Sequence, residues 1–175
     1  MPAQGTPTVL RRSRSSEPAG HRSGTATTGV VVAGDDPDAL ELMGRLLTPL
    51  GEPVSLIGDT ASAVAAVAAS PCRVLVLAFS GEAQRTNLST LAAVQRRTEP
   101  AVASTPVVMV ADDDHHLLDA WQAGIDDHLV RPVHADALVA AVRGALERTE
   151  AERADHQRQG LNRARAAALA DPDDV

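Results

Sequence analysis

Apolar residues fall into short runs and helical stripes that alternate along the chain. Val30-Val31-Val32-Ala33 is a β-branched run stopped by Gly34, the pattern of a buried strand. Pro37 and Asp38 then open a helix with Leu40, Met43, Leu47 and Leu50 on one face, ended by Pro49 and Gly51. Val54–Ile57 reads as a second strand, and Asp59-Thr60 as the N-cap of an Ala/Val helix running to about Ala69. Val74–Phe79 is a fully apolar third strand. A helix carrying Leu88, Leu91 and Val94 follows, closed by Arg96 and Arg97. Pro106–Ala111 is the fourth strand, and Asp112–Asp114 begin a helix with Leu117, Leu118 and Trp121 that Gly124 ends. Asp127–Val130 is the fifth strand. The last amphipathic helix starts near His134 and buries Ala137, Leu138, Ala141, Val142, Ala145 and Leu146.

Strict strand–helix alternation predicts an α/β fold: a five-stranded parallel sheet, doubly wound, with right-handed crossovers. In such sheets the functional crevice lies at the carboxyl ends of the strands, at the topological switch. The residues to inspect are those that follow strands one, three, four and five.

The two ends of the chain lack this pattern. Residues 1–28 are rich in Ser, Thr, Gly, Pro and Arg, and too poor in large hydrophobes to offset chain entropy, so they read as a disordered basic tail. Residues 29–147 form the expected domain. Residues 148–175 read as a solvated helical extension with a frayed end: Glu147–Arg165 continue the fifth helix with Leu161 as the large hydrophobe, Gly160 weakens it, and the chain frays from Asp171.

Composition narrows the chemistry. All 16 basic residues are arginine, so no Schiff-base or P-loop lysine exists. The aromatics are Phe79 and Trp121, too few for a base-stacking surface. Arg11, Arg12, Arg14 and Arg22 against Glu17 give residues 1–28 a charge of +3, which leaves −10 on the rest of a chain whose net charge is −7. An acidic body argues against nucleic acid and anionic lipid as partners. The lone Cys72 excludes an internal disulfide and fits a reducing cytoplasm. Arg11-Arg12 is not followed by the apolar stretch that a twin-arginine signal needs, and no apolar run is long enough to span a membrane.

The strand ends read Gly34-Asp35-Asp36-Pro37, then Ala78-Phe79-Ser80-Gly81, then Ala111, then Asp126-Asp127-His128-Leu129-Val130-Arg131-Pro132. With Thr105-Pro106-Val107-Val108-Met109 and the Ala123-Gly124 that precedes the last run, this order resembles the receiver domain of two-component response regulators, over about residues 29–146. The resemblance implies a flavodoxin-like, CheY-like fold. It also implies a site where a histidine kinase's phosphoryl group passes to an aspartate beside Mg²⁺. The metal offsets the negative charge that carboxylate and phosphoryl oxygens crowd together.

Position by position, this chain departs from the family. The acid pair falls on Gly34 and Asp35, with Asp36 just after it. The acceptor falls on Ala78, or on Leu77 in the neighbouring register, and Pro71 through Gly81 contains no aspartate. The phosphoryl-binding Thr or Ser falls on Ala111, the aromatic switch residue on His128 and the lysine on Arg131. Arginine keeps the charge without copying the ammonium geometry. Acceptor, hydroxyl and half the acid pair are missing together, which points to a degenerate pseudo-receiver.

The expected function is a phosphorylation-independent signalling module that binds protein and is not an enzyme. The partner expected is a histidine kinase or another regulator, with a homodimer as a further option through the long helix. Receivers signal through the fourth helix, fifth strand and fifth helix, where this chain carries Trp121 and His128. Two alternatives stand beside this reading. One is phosphorylation at a non-standard acceptor near Ser80 and Glu82; the other is a small-ligand sensor in the vacated pocket, with Arg131 at its edge. No cofactor is expected: Asp35 and Asp36 offer at most a weak, vestigial Mg²⁺ site, and an Asp35–Arg131 ion pair is favoured over it. Asp112-Asp113-Asp114-His115-His116 is read as acids at a helix N-terminus, because consecutive helical residues point apart and cannot converge on one ion. His128 is read as a partly buried structural histidine and Cys72 as an inert small hydrophobe.

Overall fold

A computed structural model describes residues 29–59, 62–63, 66–67, 72–79, 88, 92 and 105–170. Residues 1–28, Ser80, Glu82, Leu91, Val94, Arg96, Arg97 and Asp171–Val175 lie outside the described residues. The strands are β1 (Val30–Gly34), β2 (Val54–Ile57), β3 (Val74–Ala78), β4 (Val107–Ala111) and β5 (Asp127–Val130). The described helices are α1 (Pro37–Leu47), α2 (Leu117–Gln122), α3 (Ala135–Glu147) and α4 (Glu150–Ala170). Ser62, Ala63, Ala66 and Val67 are helical between β2 and β3, as are Leu88 and Ala92 between β3 and β4.

All four strand pairings are parallel, in the order β2-β1-β3-β4-β5. The switch point lies between β1 and β3, as the doubly wound reading requires. Alternation of side chains divides the core into two layers. Val30, Val32, Val74, Val76, Val108 and Val110 pack on α1 and α3. Val31, Leu75, Leu77, Val107 and Met109 face the other layer, with Val67, Leu88, Trp121 and Ala164. Side chains of Leu and Val size contribute about 1.5–3 kcal/mol each on full burial, so a core whose large aromatics are Phe79 and Trp121 alone still suffices.

Local chemistry sets the boundaries. Asp36 caps α1, its Oδ1 accepting from the amides of Asp38 (2.9 Å) and Ala39 (3.2 Å). A 3₁₀ turn at Thr48–Leu50 extends α1, and Gly51 at φ 70° closes it in the left-handed conformation that glycine tolerates. Asp59 acts as the predicted cap, accepting from the Ser62 amide at 2.6 Å.

Two expectations are corrected. Asp112–Asp114 do not begin a helix, because α2 starts only at Leu117. Asp113 Oδ1 instead accepts from the His115 amide at 3.1 Å, and such local side-chain bonds compete with helix formation. The long C-terminal helix exists, but it is neither a continuation of α3 nor solvated all round. Arg148 is extended (φ −64°, ψ 132°), the chain turns, and α4 lies against the sheet layer of α2 with Gly160 and Ala164 buried. Polar anchors and a glycine contact hold it there, which an apolar stripe does not announce. Among the described residues no helix is long and apolar enough to cross a membrane.

Candidate functional site

The carboxyl ends of β1, β3 and β4 bring Gly34, Ala78 and Ala111 together, all buried. Gly34 is the register partner of Ala78. A Cβ on Gly34 would stand 2.8 Å from the Ala78 carbonyl oxygen and 2.9 Å from its Cβ. The two strand ends thus approach too closely for any side chain at position 34. This rim presents two methyl groups and a glycine where the resemblance to receivers implies a carboxylate, a hydroxyl and half an acid pair.

Arg131 reaches across this rim from the end of β5. Its backbone amide donates to the Ala111 carbonyl at 2.9 Å, which fixes it beside β4. Its Nη1 donates to the Phe79 carbonyl at 3.0 Å and to Asp112 Oδ1 at 2.5 Å. The expected Asp35–Arg131 pair is therefore corrected. Asp112 follows β4, the neighbour of β5, whereas Asp35 lies beyond β3 and is exposed. The pair is partly open to water, with Arg131 27% and Asp112 45% exposed, so screening keeps it weak.

Asp35 and Asp36 do not fit a bound Mg²⁺. The ion demands several oxygen ligands in near-octahedral array. Asp36 already spends an oxygen on the α1 cap, and the Ala78 side chain carries none. Among the described residues no group of three or more His, Cys, Asp or Glu is placed to hold a metal ion. This covers the Asp112–His116 run.

His128 pairs in register with Met109, and its side chain is 7% exposed. Nδ1 lies 3.7 Å from Asp114 Oδ1, while Nε2 is buried with no hydrogen-bond partner. Burial pushes its pKa below the ordinary 6.5, against the pull of Asp114, Asp127 and Asp113. Cys72 is buried, and burial raises its thiol pKa to about 11, so it is protonated and unreactive.

Trp121 is not an open contact surface. It is 8% exposed and lies beneath α4. A Cβ on Gly160 would stand 2.4 Å from the indole ring, so only glycine permits this approach. His156 meets the ring edge-on, 5.9 Å between centroids.

Sequence reasoning missed the polar anchor beside Trp121. Asp126 is fully buried just before β5, and its Oδ2 accepts from the Val107 amide at 2.7 Å. Its Oδ1 accepts from Arg153 Nε at 2.5 Å and Gln157 Nε2 at 3.3 Å, both on α4. Arg153 Nη2 also reaches the Thr105 carbonyl, and Gln157 the Gly124 carbonyl. Burial raises the Asp126 pKa, and the Arg153 charge and the Val107 amide only partly reverse it. The signal was present in the spacing. Arg153, Gln157, Gly160 and Ala164 recur at helical intervals along one face of α4.

No family model and no curated protein matches the sequence. Solved structures do match. A chemotaxis response regulator of Vibrio cholerae is similar with a TM-score of 0.58 and 18% identity, over 67% of this chain and 97% of its own. The receiver domain of NtrX from Brucella abortus gives 0.58 and 23%, over 69% of this chain and 99% of its own. A sensor protein from Polaromonas sp. JS666 gives 0.59 and 18%, over 67% and 94%. The fold is therefore that of the CheY-like receiver domains of response regulators. At these identities the likeness fixes architecture, and the residues at the rim must carry any statement about chemistry.

Proposed function

We propose that this chain is a pseudo-receiver: a signalling module, not an enzyme, that works by binding protein without being phosphorylated. The observation that carries this reading is the closed rim. Gly34 and Ala78 stand too close for a side chain at position 34, and Ala78 and Ala111 supply neither a phosphoryl acceptor nor a hydroxyl. An alanine methyl cannot form an acyl phosphate. Losing acceptor and hydroxyl together removes both the covalent step and its electrostatic support. The receiver-like unit is residues 29–147, with 148–175 as its C-terminal extension. A histidine kinase or another regulator of the same pathway, in the cytoplasm, is the partner this fold suits. A vacant-pocket ligand sensor is disfavoured because Arg131, the cation such a ligand would use, already binds Asp112 and the Phe79 carbonyl.

The test is intact mass after incubation with acetyl phosphate and Mg²⁺. The expected result is no phosphate adduct. A stable, Mg²⁺-dependent gain of one phosphate, mapped to Ser80–Glu82, would overturn the reading in favour of a non-standard acceptor.

A further inference from the structure

We propose that α4 is exchangeable: the bend between α3 and α4 opens, and α4 docks on the Trp121–Asp126 surface of a second copy of this chain. The inference stands whether or not phosphoryl transfer occurs, because every group it uses lies away from the carboxyl rim.

The first observation is the bend. It consists of Arg148 and Thr149 alone, and neither it nor the flanking Glu147, Glu150 and Ala151 is glycine or proline. Glu, Arg and Ala are good helix formers, so local preference favours one continuous helix. The bend is held instead by a reciprocal capping box. Glu152 Oε2 accepts from the Thr149 amide and hydroxyl, both at 2.8 Å, and the Glu152 amide donates to Thr149 Oγ1 at 3.3 Å. If the box opens, α3 and α4 can merge over residues 135–170, a rod of about 54 Å.

The second observation is that the bent form leaves polar atoms unsatisfied. Arg148 Nη1, at the bend, and His156 Nε2, under α4, are buried with no hydrogen-bond partner. Arg148 Nη2 and His156 Nε2 approach Asp127 Oδ2 only to 3.8 and 4.0 Å. Re-docking buries His156 again, so the preference rests on Arg148: opening the bend returns its unpaired donor to water.

The third observation identifies the occupant. The dock is specific and built from a short set of contacts: Arg153 to Asp126 and the Thr105 carbonyl, Gln157 to Asp126 and the Gly124 carbonyl, Gly160 on Trp121. Each reaches residues 105–126 and none involves α3. The α4 of a second copy carries the same set and re-forms every contact. An exchange about a two-fold axis therefore needs no new complementarity, and the closed dimer has two such docks. A different protein would have to reproduce a guanidinium, an amide and a glycine at the same helical spacing.

Energy transfer from Trp121 tests this directly, because it is the only tryptophan and the chain has no tyrosine. One full-length copy is left as it is. The other carries Trp121→Phe and an acceptor dye on Leu169→Cys, a position 85% exposed, while Cys72 stays buried and unlabelled. The two are co-refolded and separated by size. The proposal expects a dimer fraction in which Trp121 of the first copy is quenched by the dye of the second. Thr149→Ala with Glu152→Ala in both copies should raise that fraction several-fold, and Gly160→Leu on the labelled copy should abolish transfer. Monomer at every concentration for both the unaltered and the capping-box chains would overturn it. So would a dimer without transfer. Should the capping-box variant fail to fold, the transfer measurement on unaltered bends decides alone.

Discussion

The two ends of the central sheet spend their polar groups differently. At the carboxyl rim, β1, β3 and β4 end in Gly34, Ala78 and Ala111, and Arg131 is tied to the partly exposed Asp112. At the amino rim, a fully buried carboxylate, Asp126, holds the Val107 amide, Arg153 and Gln157 at once. Among the described residues the demanding electrostatics lies at the amino rim, where it secures a helix against Trp121. A buried ion pair is expensive unless every lone pair is met, so a satisfied one marks a contact the chain cannot leave loose.

The largest expected effect tests that contrast at its centre. Asp126→Ala leaves Arg153 mostly buried without its counter-charge and the Val107 amide without an acceptor. Breaking such a pair costs about 3–5 kcal/mol. Urea unfolding should show a loss of that size, and Trp121 emission should shift red as α4 loosens. If stability instead falls by no more than a surface substitution would cost, the two rims do not differ as described.

Gly160→Ala comes next, and here helix propensity and packing give opposite signs. Propensity alone predicts a gain of about 1 kcal/mol. The structure places the new Cβ 2.4 Å from the Trp121 ring, an overpacking that costs about 1–3 kcal/mol. A net loss with greater quenching of Trp121 by acrylamide is expected. A net gain would mean that α4 is solvated after all.

That reversal shows what was legible in the sequence and what was not. The five strands emerged from runs such as Val74–Leu77 because a parallel sheet buries both faces of each strand, leaving continuous apolar segments. The rim positions followed from the strand ends, since Gly34, Ala78 and Ala111 sit where their strands stop. The docking of α4 did not emerge. Its face is made of Arg153, Gln157, Gly160 and Ala164, and a hydrophobicity pattern scores that as a solvated helix. The partner of Arg153 lies 27 residues earlier, and the spacing along α4 marks a face without naming that partner. The Arg131 partner failed for a similar reason: the fold makes β4 rather than β1 the neighbour of β5, so Asp112 is near and Asp35 is not.

A smaller effect belongs to the α1 cap at the carboxyl rim. Asp36→Ala removes the acceptor of the Asp38 and Ala39 amides and should cost about 1 kcal/mol by urea unfolding. Adding Mg²⁺ should leave the stability of both forms unchanged if Asp36 serves α1 alone. Stabilisation of the parent chain only, at millimolar metal, would restore a cation site at this rim.

His128 sharpens the comparison through pH. Its folded pKa lies below the ordinary 6.5, so the native state holds it neutral while the unfolded chain takes up a proton. In that window the unfolded state binds more protons, and stability falls as pH drops. The contribution is complete above the unfolded value and is lost as pH falls towards the folded one. Thermal melts from about pH 7.5 down to about pH 5.5 should show Tm declining. His128→Leu should decline less steeply over the same range, and an identical slope would show that the fold does not lower the His128 pKa.

The smallest effect should be Arg131→Gln. Its ion pair with Asp112 is partly exposed, and such pairs contribute about 0–1 kcal/mol. The hydrogen bond to the Phe79 carbonyl is the part that glutamine can still make. Stability should therefore change by less than about 1 kcal/mol, several times less than for Asp126→Ala. Trp121 emission should not move, because the described contacts of the α4 dock reach Thr105, Trp121, Gly124 and Asp126 and not this rim. If the variant instead unfolds as readily as Asp126→Ala, Arg131 clamps β3 to β5 and the carboxyl rim carries as much of the structure as the amino rim. That outcome would erase the division of labour between the two ends of the sheet.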